Sequence, residues 1–266
     1  MKSKYQDLCR AAEKVATKAG AYILAHKGRV EAGDIDEKEQ NSLVSFVDKN
    51  AEKIITEGLY NILPEAGFIT EEDVTENDER EYTWIIDPLD GTTNFLKSVP
   101  YFSVSIALAH HGVPVAGVVY DITGNEVFSA SKGMGATCNG EKIRVTSGQL
   151  FSDQLIGTGF PYVSSQLSEA HIDVLRDILQ STRGIRRIGS AALDLCYVAC
   201  GRFGAFYETD LNPWDVAAGG LIVQEAGGIM DDFYGGGNWL SGHNVLATPP
   251  QFLDLMMSRF EKFKGL

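Results

Sequence analysis

Apolar residues recur at helical spacing in two stretches near the start of the chain. The spacing predicts an amphipathic helix over residues 3–27 and a second helix over Ser45–Leu63, which Pro64 ends. Between the two helices, residues 31–41 are polar and predict a loop. The first part of the chain is therefore expected to form two helices that each bury one face.

Short apolar runs bounded by turn residues follow, and such runs are typical of strands. Strands are predicted near residues 68–70, 83–87, 102–110, 113–120, 126–131, 185–188, 203–208, 229–231 and 244–248. Further helices are predicted near residues 164–181, 191–200 and 213–227, and from residue 251 onward. Ser190 and Asn212 are the expected caps of two of these helices, because both side chains suit a helix N-terminus.

One of the apolar runs ends in two aspartates three positions apart, Asp87 and Asp90. Because Pro88 cannot continue a central strand, both aspartates are predicted to lie on a tight turn at the carboxyl end of the strand. Two carboxylates aimed at one point suit Mg2+ better than a soft metal. The backbone N–H groups of Gly91 and Thr92 are then placed to face an anion. Such a segment is also ordinary turn chemistry, so both interpretations stand at this point.

Two further acidic residues occupy positions where a carboxylate can serve a site. Glu71 directly follows the predicted strand 68–70. Asp215 falls in the first turn of the helix that Asn212 caps and Pro213 begins. A carboxylate there also complements the helix dipole, which is the alternative explanation for Asp215.

Histidine and cysteine give no comparable pattern. His110 and His111 end a predicted strand next to Gly112, so they are predicted to form a surface turn and not to bind a metal. The four cysteines lack the spacing of a zinc site. Cys196 and Cys200 lie four positions apart on a predicted apolar helix and are expected to pack in the core as free thiols.

The charge of the chain limits its partners. With 23 basic and 36 acidic residues, the formal net charge is −13, which repels nucleic acid and anionic membranes. A phosphate ester would bind only where metal ions reverse the local field, so the acidic balance favours a Mg2+-dependent site. No apolar run reaches the roughly 18 residues needed to cross a bilayer. The start of the chain also lacks the apolar core of a signal peptide, so a cytoplasmic protein is expected.

Together these segments resemble the signatures of the inositol monophosphatase family. The run WIIDPLDGTTNF at residues 84–95 resembles the first signature, and WDVAAG at 214–219 followed by QEAGG at 224–228 resembles the second. Other segments that resemble the family lie at residues 41–48, 71–72, 158–161 and 186–195. The resemblance extends over nearly the whole chain.

The resemblance implies an α+β fold of the layered αβαβα type shared with fructose-1,6-bisphosphatases. It implies a single domain over residues 1–266, with soft halves at 1–150 for metal binding and 151–266 for substrate specificity. It also implies a homodimer and inhibition by Li+, as is common among relatives.

The metal ligands are likewise implied by the resemblance. Glu71, Asp87 and the backbone carbonyl of Leu89 would hold a first Mg2+. Asp87, Asp90 and Asp215 would hold a second. A third, weaker position would involve the acidic loop at residues 28–40.

Hydrolysis in this family uses an activated water and no protein nucleophile. The resemblance assigns Thr92 and Asp48 to orienting that water and Glu71 to taking its proton. Asp48 has an alternative explanation as a carboxylate in the first turn of a helix. Glu72 is expected to support the ligands without binding a metal.

The substrate is expected to be a small phosphorylated polyol. The residues expected to contact it are Asp90, Gly91, Thr92, Gly189, Ser190, Ala191, Glu208 and Asp215. Glu208 is alternatively a strand-end residue that faces solvent. Arg186 and Arg187 alternate along a predicted strand, so at most one of them faces the site.

Myo-inositol 1-phosphate is the first candidate substrate, and histidinol phosphate is the second. Fructose 1,6-bisphosphate and 3′-phosphoadenosine 5′-phosphate are further alternatives, because the family shares its metal signature across different pockets. Lys97 stands near a position where many relatives carry histidine, so the bordering loop differs. A regulatory binding protein with no catalytic turnover is the alternative from another functional class.

Overall fold

The computed structural model describes residues 2–30, 35–39, 42–72, 80–161 and 169–263. The described residues form seven α-helices: α1 Lys2–His26, α2 Phe46–Tyr60, α3 Thr92–Leu96, α4 Glu169–Ser181, α5 Ala191–Ala199, α6 Pro213–Glu225 and α7 Leu253–Phe260. The strands are β1 Ile35–Glu39, β2 Ser42–Ser45, β3 Gly67–Thr70, β4 Tyr82–Asp90, β5 Ser103–His110, β6 Val113–Asp121, β7 Glu126–Ser131, β8 Ala136–Cys138, β9 Glu141–Ile143, β10 Leu155–Thr158, β11 Gly184–Arg186, β12 Ala205–Thr209, β13 Ile229–Asp231 and β14 Asn244–Thr248.

The strands form a seven-stranded sheet, a five-stranded sheet and a small β1–β2 pair. The larger sheet has the order β3 to β9, in which only β3 and β4 are parallel. The smaller sheet has the order β11-β10-β12-β14-β13 and is also mixed. Consecutive hairpins account for most of the larger sheet, as the predicted strands between residues 83 and 131 indicate.

The helices and the two large sheets form five layers, which pack on one another through three apolar cores. The first core lies between α1, α2 and the larger sheet, the second contains α5 and α6 between the two sheets, and the third joins the smaller sheet to α4 and α7. Trp84 and Ile86 belong to the first core while Ile85 belongs to the second, because side chains alternate along a strand. Phe206 and Tyr207 divide in the same way between the second and third cores. The expected αβαβα arrangement is confirmed.

The end of β4 differs from the expected tight turn. The strand continues through Pro88 to Asp90, with Asp87 opposite Ser105 and Asp90 opposite Ser103. One extra residue on β4 therefore forms a β-bulge. Proline is tolerated at this point because bulges accept it and because the pairing of β3 with β4 ends before residue 87.

The two expected helix caps, Ser190 and Asn212, do precede their helices, and Ser45 caps a third. Ser45 precedes α2, and its N–H donates to the Asp48 carboxylate at 2.9 Å. Ser190 precedes α5, and its hydroxyl accepts from the third residue of that helix. Asn212 precedes α6, and its N–H donates to Asp215 at 2.7 Å. Polar first turns thus fix where these helices begin.

Other predictions were wrong or incomplete. The predicted loop over 31–41 contains strand β1, which pairs with β2. Strands β8, β9 and β10 were not predicted, because each has only three or four residues. Residues 31–34, 40–41, 73–79 and 162–168 lie outside the described residues, which leaves the start of the predicted helix 164–181 untested.

No helix in the described part of the chain combines the length and hydrophobicity needed to cross a membrane.

Candidate active site

Four carboxylates from three parts of the chain lie near one another at the carboxyl end of β4. Asp87 and Asp90 occupy the last residues of that strand and are almost fully buried. Glu71 follows β3, which is parallel to β4, so both strands end at the same edge of the sheet. The N–H of Glu71 donates to the carbonyl oxygen of Ile86 at 3.3 Å. Asp215 reaches the same region from the first turn of α6.

The electrostatics show how close these groups are. Burial raises the pKa of Asp87 well above its usual range, and the charges of Glu71, Asp90 and Asp215 raise it further. Burial also raises the pKa of Asp215 strongly, with Asp90 and Glu71 adding to the effect. Like charges that raise the pKa of Asp87 and Asp215 mark a site where a cation would be stabilised.

Asp90 is held by the start of α5. Its Oδ2 accepts hydrogen bonds from the hydroxyl of Ser190 at 2.6 Å and from the N–H of Ala192 at 2.8 Å. Burial still raises the pKa of Asp90, to about 6, although these two donors lower it. The donors at the start of α5 therefore bind Asp90, and the contact of Ser190 with a substrate stays a prediction.

Asp48 and Thr92 form a direct pair across 44 positions of sequence. The hydroxyl of Thr92 lies 2.9 Å from Oδ1 of Asp48 and 3.0 Å from the carbonyl oxygen of Leu89. The other carboxylate oxygen of Asp48 accepts from the N–H and the hydroxyl of Ser45. Asp48 is therefore both a capping residue and the partner of Thr92, so the two explanations for it are compatible.

The turn after β4 requires glycine. Gly91 has φ of 92°, and a Cβ there would lie 2.8 Å from the carbonyl oxygen of Tyr101. The amide of Asn94 donates to the carbonyl oxygens of Tyr101 and Ile188, each at 2.7 Å. Gly189 also has a positive φ, of 82°. These contacts hold the β4–α3 turn against the residues that begin α5, so the predicted phosphate and substrate segments are adjacent.

Glu208 lies on β12, within range of the charge of Asp90. Burial raises its pKa to about 8, the charge of Arg187 lowers it, and Asp90 raises it. Gly159 provides the space for this carboxyl group, because a Cβ at that position would overlap it. Arg186 instead donates to the carbonyl oxygen of Ile185, so Arg187 is the arginine that faces the site. The Glu208 carboxyl group thus packs against Gly159 and interacts with the charge of Asp90, and its contact with a substrate stays a prediction.

Asp194 was not assigned a role from the sequence. It is 1% exposed, and its Oδ1 has no hydrogen-bond partner among the described residues. Burial raises its pKa well above the usual range, with Glu208 and Asp90 adding to the rise. The available signal was that Asp194 is the only charged residue in the otherwise apolar sequence of α5.

The pH dependence of folding tests the environment of Glu208. Folding raises its pKa from 4.5 to about 8, so the folded protein binds this proton more tightly than the unfolded chain. Its contribution to the free energy of unfolding is therefore present below pH 4.5 and is lost as pH rises toward 8. In urea titrations with a chelator, the free energy of unfolding of Glu208→Gln should fall less with rising pH than that of the wild type, by on the order of 3 kcal/mol. For the exposed control Glu141→Gln, the free energy of unfolding should fall with pH as it does in the wild type. Equal slopes for wild type and Glu208→Gln would show that Glu208 does not titrate in this way.

Comparisons with known proteins agree with this geometry. The family model described as "Inositol monophosphatase family" matches residues 4–263. The chain is 40% identical to the Nus factor SuhB of Escherichia coli (strain K12) over 248 residues, which cover 93% of each protein. It is similar to the crystal structure of the extragenic suppressor protein suhB from Bartonella henselae, with TM-score 0.90, 37% identity and coverage of 98% of this chain and 100% of that one. It is similar to an inositol monophosphatase from Anabaena (Nostoc), with TM-score 0.86, 33% identity and coverage of 97% and 96% respectively. The chain therefore belongs to the inositol monophosphatase family.

Proposed function

We propose that this protein hydrolyses a small phosphate monoester, with myo-inositol 1-phosphate as the first candidate. The observation that carries the proposal is the convergence of Glu71, Asp87, Asp90 and Asp215: burial and the charges of the other three raise the pKa of Asp87, and burial with the charges of Asp90 and Glu71 raises that of Asp215. The Asp48–Thr92 pair lies beside this group through the Leu89 carbonyl. Membership of the family and the likeness to the Anabaena inositol monophosphatase support the same conclusion.

The donor atoms fit Mg2+. All of them are carboxylate or carbonyl oxygens, which are the ligands that Mg2+ prefers. Among the described residues, no three carboxylates each bring an oxygen within 4.8 Å of the others. We assign Glu71, Asp87 and the Leu89 carbonyl to one ion. Asp87, Asp90 and Asp215 are assigned to a second. The acidic loop at 28–40 is retained as a proposed third position.

Hydrolysis requires a water molecule to be aimed at phosphorus and to lose its proton. Bound Mg2+ supplies positive charge that offsets the phosphate and polarises its oxygens. Thr92 donates its hydroxyl proton toward Asp48, which leaves its oxygen lone pairs free to accept from the water. Asp48 holds Thr92 in this orientation because Ser45 fixes its other oxygen. Glu71 takes the proton as the water oxygen bonds to phosphorus. The bond from phosphorus to the ester oxygen breaks, and that oxygen takes a proton from solvent as the alcohol leaves.

The second half of the chain is proposed to recognise the alcohol. Glu208 titrates near pH 8, so below that pH its carboxyl group can donate a hydrogen bond to a sugar-like hydroxyl as well as accept one. Arg187 and Asp194 border the same carboxyl group. Gly189 and Ala191 keep the start of α5 close to this end of the site. A polyhydroxylated alcohol matches this set of donors and acceptors.

A regulatory binding protein is the second candidate function. It is favoured by the 40% identity to a protein that carries the name Nus factor. The net charge of −13 opposes direct contact with nucleic acid or an anionic membrane, so a protein partner would fit better. A cytoplasmic location, a homodimer and sensitivity to Li+ are proposals that rest on family membership.

Asp90→Asn separates the two candidates. The amide oxygen can still accept from Ser190 and Ala192, so the fold should persist while the charge at the site is lost. Release of phosphate from myo-inositol 1-phosphate, histidinol phosphate, fructose 1,6-bisphosphate and 3′-phosphoadenosine 5′-phosphate is measured with Mg2+ and with EDTA. We expect the wild type to release phosphate only with Mg2+ and to prefer the inositol ester. Asp90→Asn should be at least about 100-fold slower, since even a supporting residue of a metal site is worth this much. No release from any ester by the folded wild type would reject the phosphatase proposal and favour the binding role.

Thr92→Val tests the water-orienting pair. Valine keeps the shape of threonine and removes the hydroxyl that lies between Asp48 and the Leu89 carbonyl. We expect kcat to fall by about 10²–10⁴-fold while the melting temperature changes little. The matched control is Thr93→Val, the next residue of α3, whose side chain is exposed. Equal rates for the two variants would exclude the proposed role of Thr92.

A further inference from the structure

A second group of ligand side chains lies at the opposite end of β4. Glu81 directly precedes this strand, His110 ends β5, and His111 follows in the turn to β6. Among the described residues, these are the three whose ligand atoms lie within 4.8 Å of one another. His110 pairs with Tyr82 at the first position of β4, whereas Asp90 is the last. The eight residue steps from Tyr82 to Asp90 along β4 span about 26 Å, so this group is not part of the carboxylate site.

The ring of His110 has a hydrogen-bond partner at each nitrogen and a stacked aromatic ring. Its Nε2 lies 3.2 Å from Oε1 of Glu81, and its Nδ1 lies 2.7 Å from the hydroxyl of Tyr5. The ring stacks on Tyr82 with a centroid distance of 4.5 Å and an interplanar angle of 10°. An imidazole with one nitrogen on a carboxylate and the other on a hydroxyl has the surroundings of a metal-binding histidine.

The backbone holds His111 beside it. Its φ is 49°, in the left-handed region, and its N–H donates to the carbonyl oxygen of Glu81 at 2.9 Å. The His111 ring stacks on the His110 ring with centroids 4.5 Å apart. A left-handed histidine at this turn therefore places two imidazoles on the same side as the Glu81 carboxylate. Glu81 and His111 are exposed and His110 is half-buried, so an ion from solvent can reach all three.

We infer that Glu81, His110 and His111 form a binding site for a divalent cation of the Zn2+ class. Two imidazoles and one carboxylate are ligands of Zn2+ and its transition-metal neighbours, whereas Mg2+ prefers oxygen alone. The site thus differs in chemistry from the all-oxygen group near Asp87. It replaces the expectation that the two histidines form only a surface turn.

Binding at this site ties three elements together. The cation would bind Nε2 of His110 in the neutral tautomer that carries its proton on Nδ1, and that N–H would then donate to the Tyr5 hydroxyl. Tyr5 belongs to α1, so the site joins α1, the start of β4 and the β5–β6 turn. Tyr5→Phe, which removes that second partner, should weaken Zn2+ binding by about tenfold.

The ring nitrogens of the five histidines give a readout that is independent of catalysis. Protein labelled with 15N at histidine is titrated with ZnCl2 in excess Mg2+, which keeps the carboxylate site saturated. Zn2+ that binds only at the carboxylates does not shift the 15N signal of a histidine that is not one of its ligands. We expect the nitrogen signals of His110 and His111 to shift first and to saturate.

Glu81→Gln combined with His111→Asn removes two ligands while asparagine tolerates the left-handed backbone. It should lower the Zn2+ affinity by more than about tenfold. The matched control is His243→Asn, since His243 also has a positive φ, of 61°. Its Zn2+ affinity should equal that of the wild type. Shifts that are absent, that spread equally over all five histidines, or that persist unchanged in the double variant would overturn the inference.

Discussion

Repulsion among four neighbouring carboxyl groups is the constraint around which this molecule is arranged. Asp87 and Asp90 are buried on β4, Glu71 follows β3, and Asp215 lies in the first turn of α6, and folding brings their charges near one another. Each burial costs free energy unless protons or a cation offset the charge. Apolar packing in three cores holds this arrangement in place. We propose that the resulting group of oxygen ligands binds a hard cation on which hydrolysis of the phosphate ester depends.

Local backbone features determine the position of each carboxylate. The bulge in β4 changes the spacing of Asp87 and Asp90 relative to β5, so that both project from the end of one strand. The start of α5 stabilises the charge of Asp90 through Ser190 and Ala192. Asp215, in the first turn of α6, accepts from the N–H of Asn212 and lies near the charges of Asp90 and Glu71. Asp48 and Asp215 therefore both have a capping role, which is compatible with the functional roles proposed for them.

Much of this arrangement was accessible from sequence because local rules carry it. Helix caps at Ser190 and Asn212 and the alternation in β4 to β7 follow from propensity and periodicity, and the layered fold follows from the family signatures. The bulge at Pro88 was not accessible, because it depends on where β3 stops pairing with β4. The choice between Arg186 and Arg187 depended in the same way on the end of β11 at residue 186. Asp194 and the His110–Glu81 contact are products of tertiary packing, which no local pattern reports.

We propose that the carboxyl groups of Glu71, Asp87, Asp90 and Asp215 release protons when they bind Mg2+. The most direct measurement is calorimetric titration of Mg2+ into chelator-treated protein near neutral pH, in two buffers with different enthalpies of ionisation. The difference in heat between the buffers counts the protons released per ion bound. We expect saturable binding accompanied by proton release, because burial and mutual repulsion raise the pKa values of Asp87 and Asp215 in the metal-free protein. An absence of binding, or binding whose heat is the same in both buffers, would show that these carboxyl groups do not exchange protons for Mg2+.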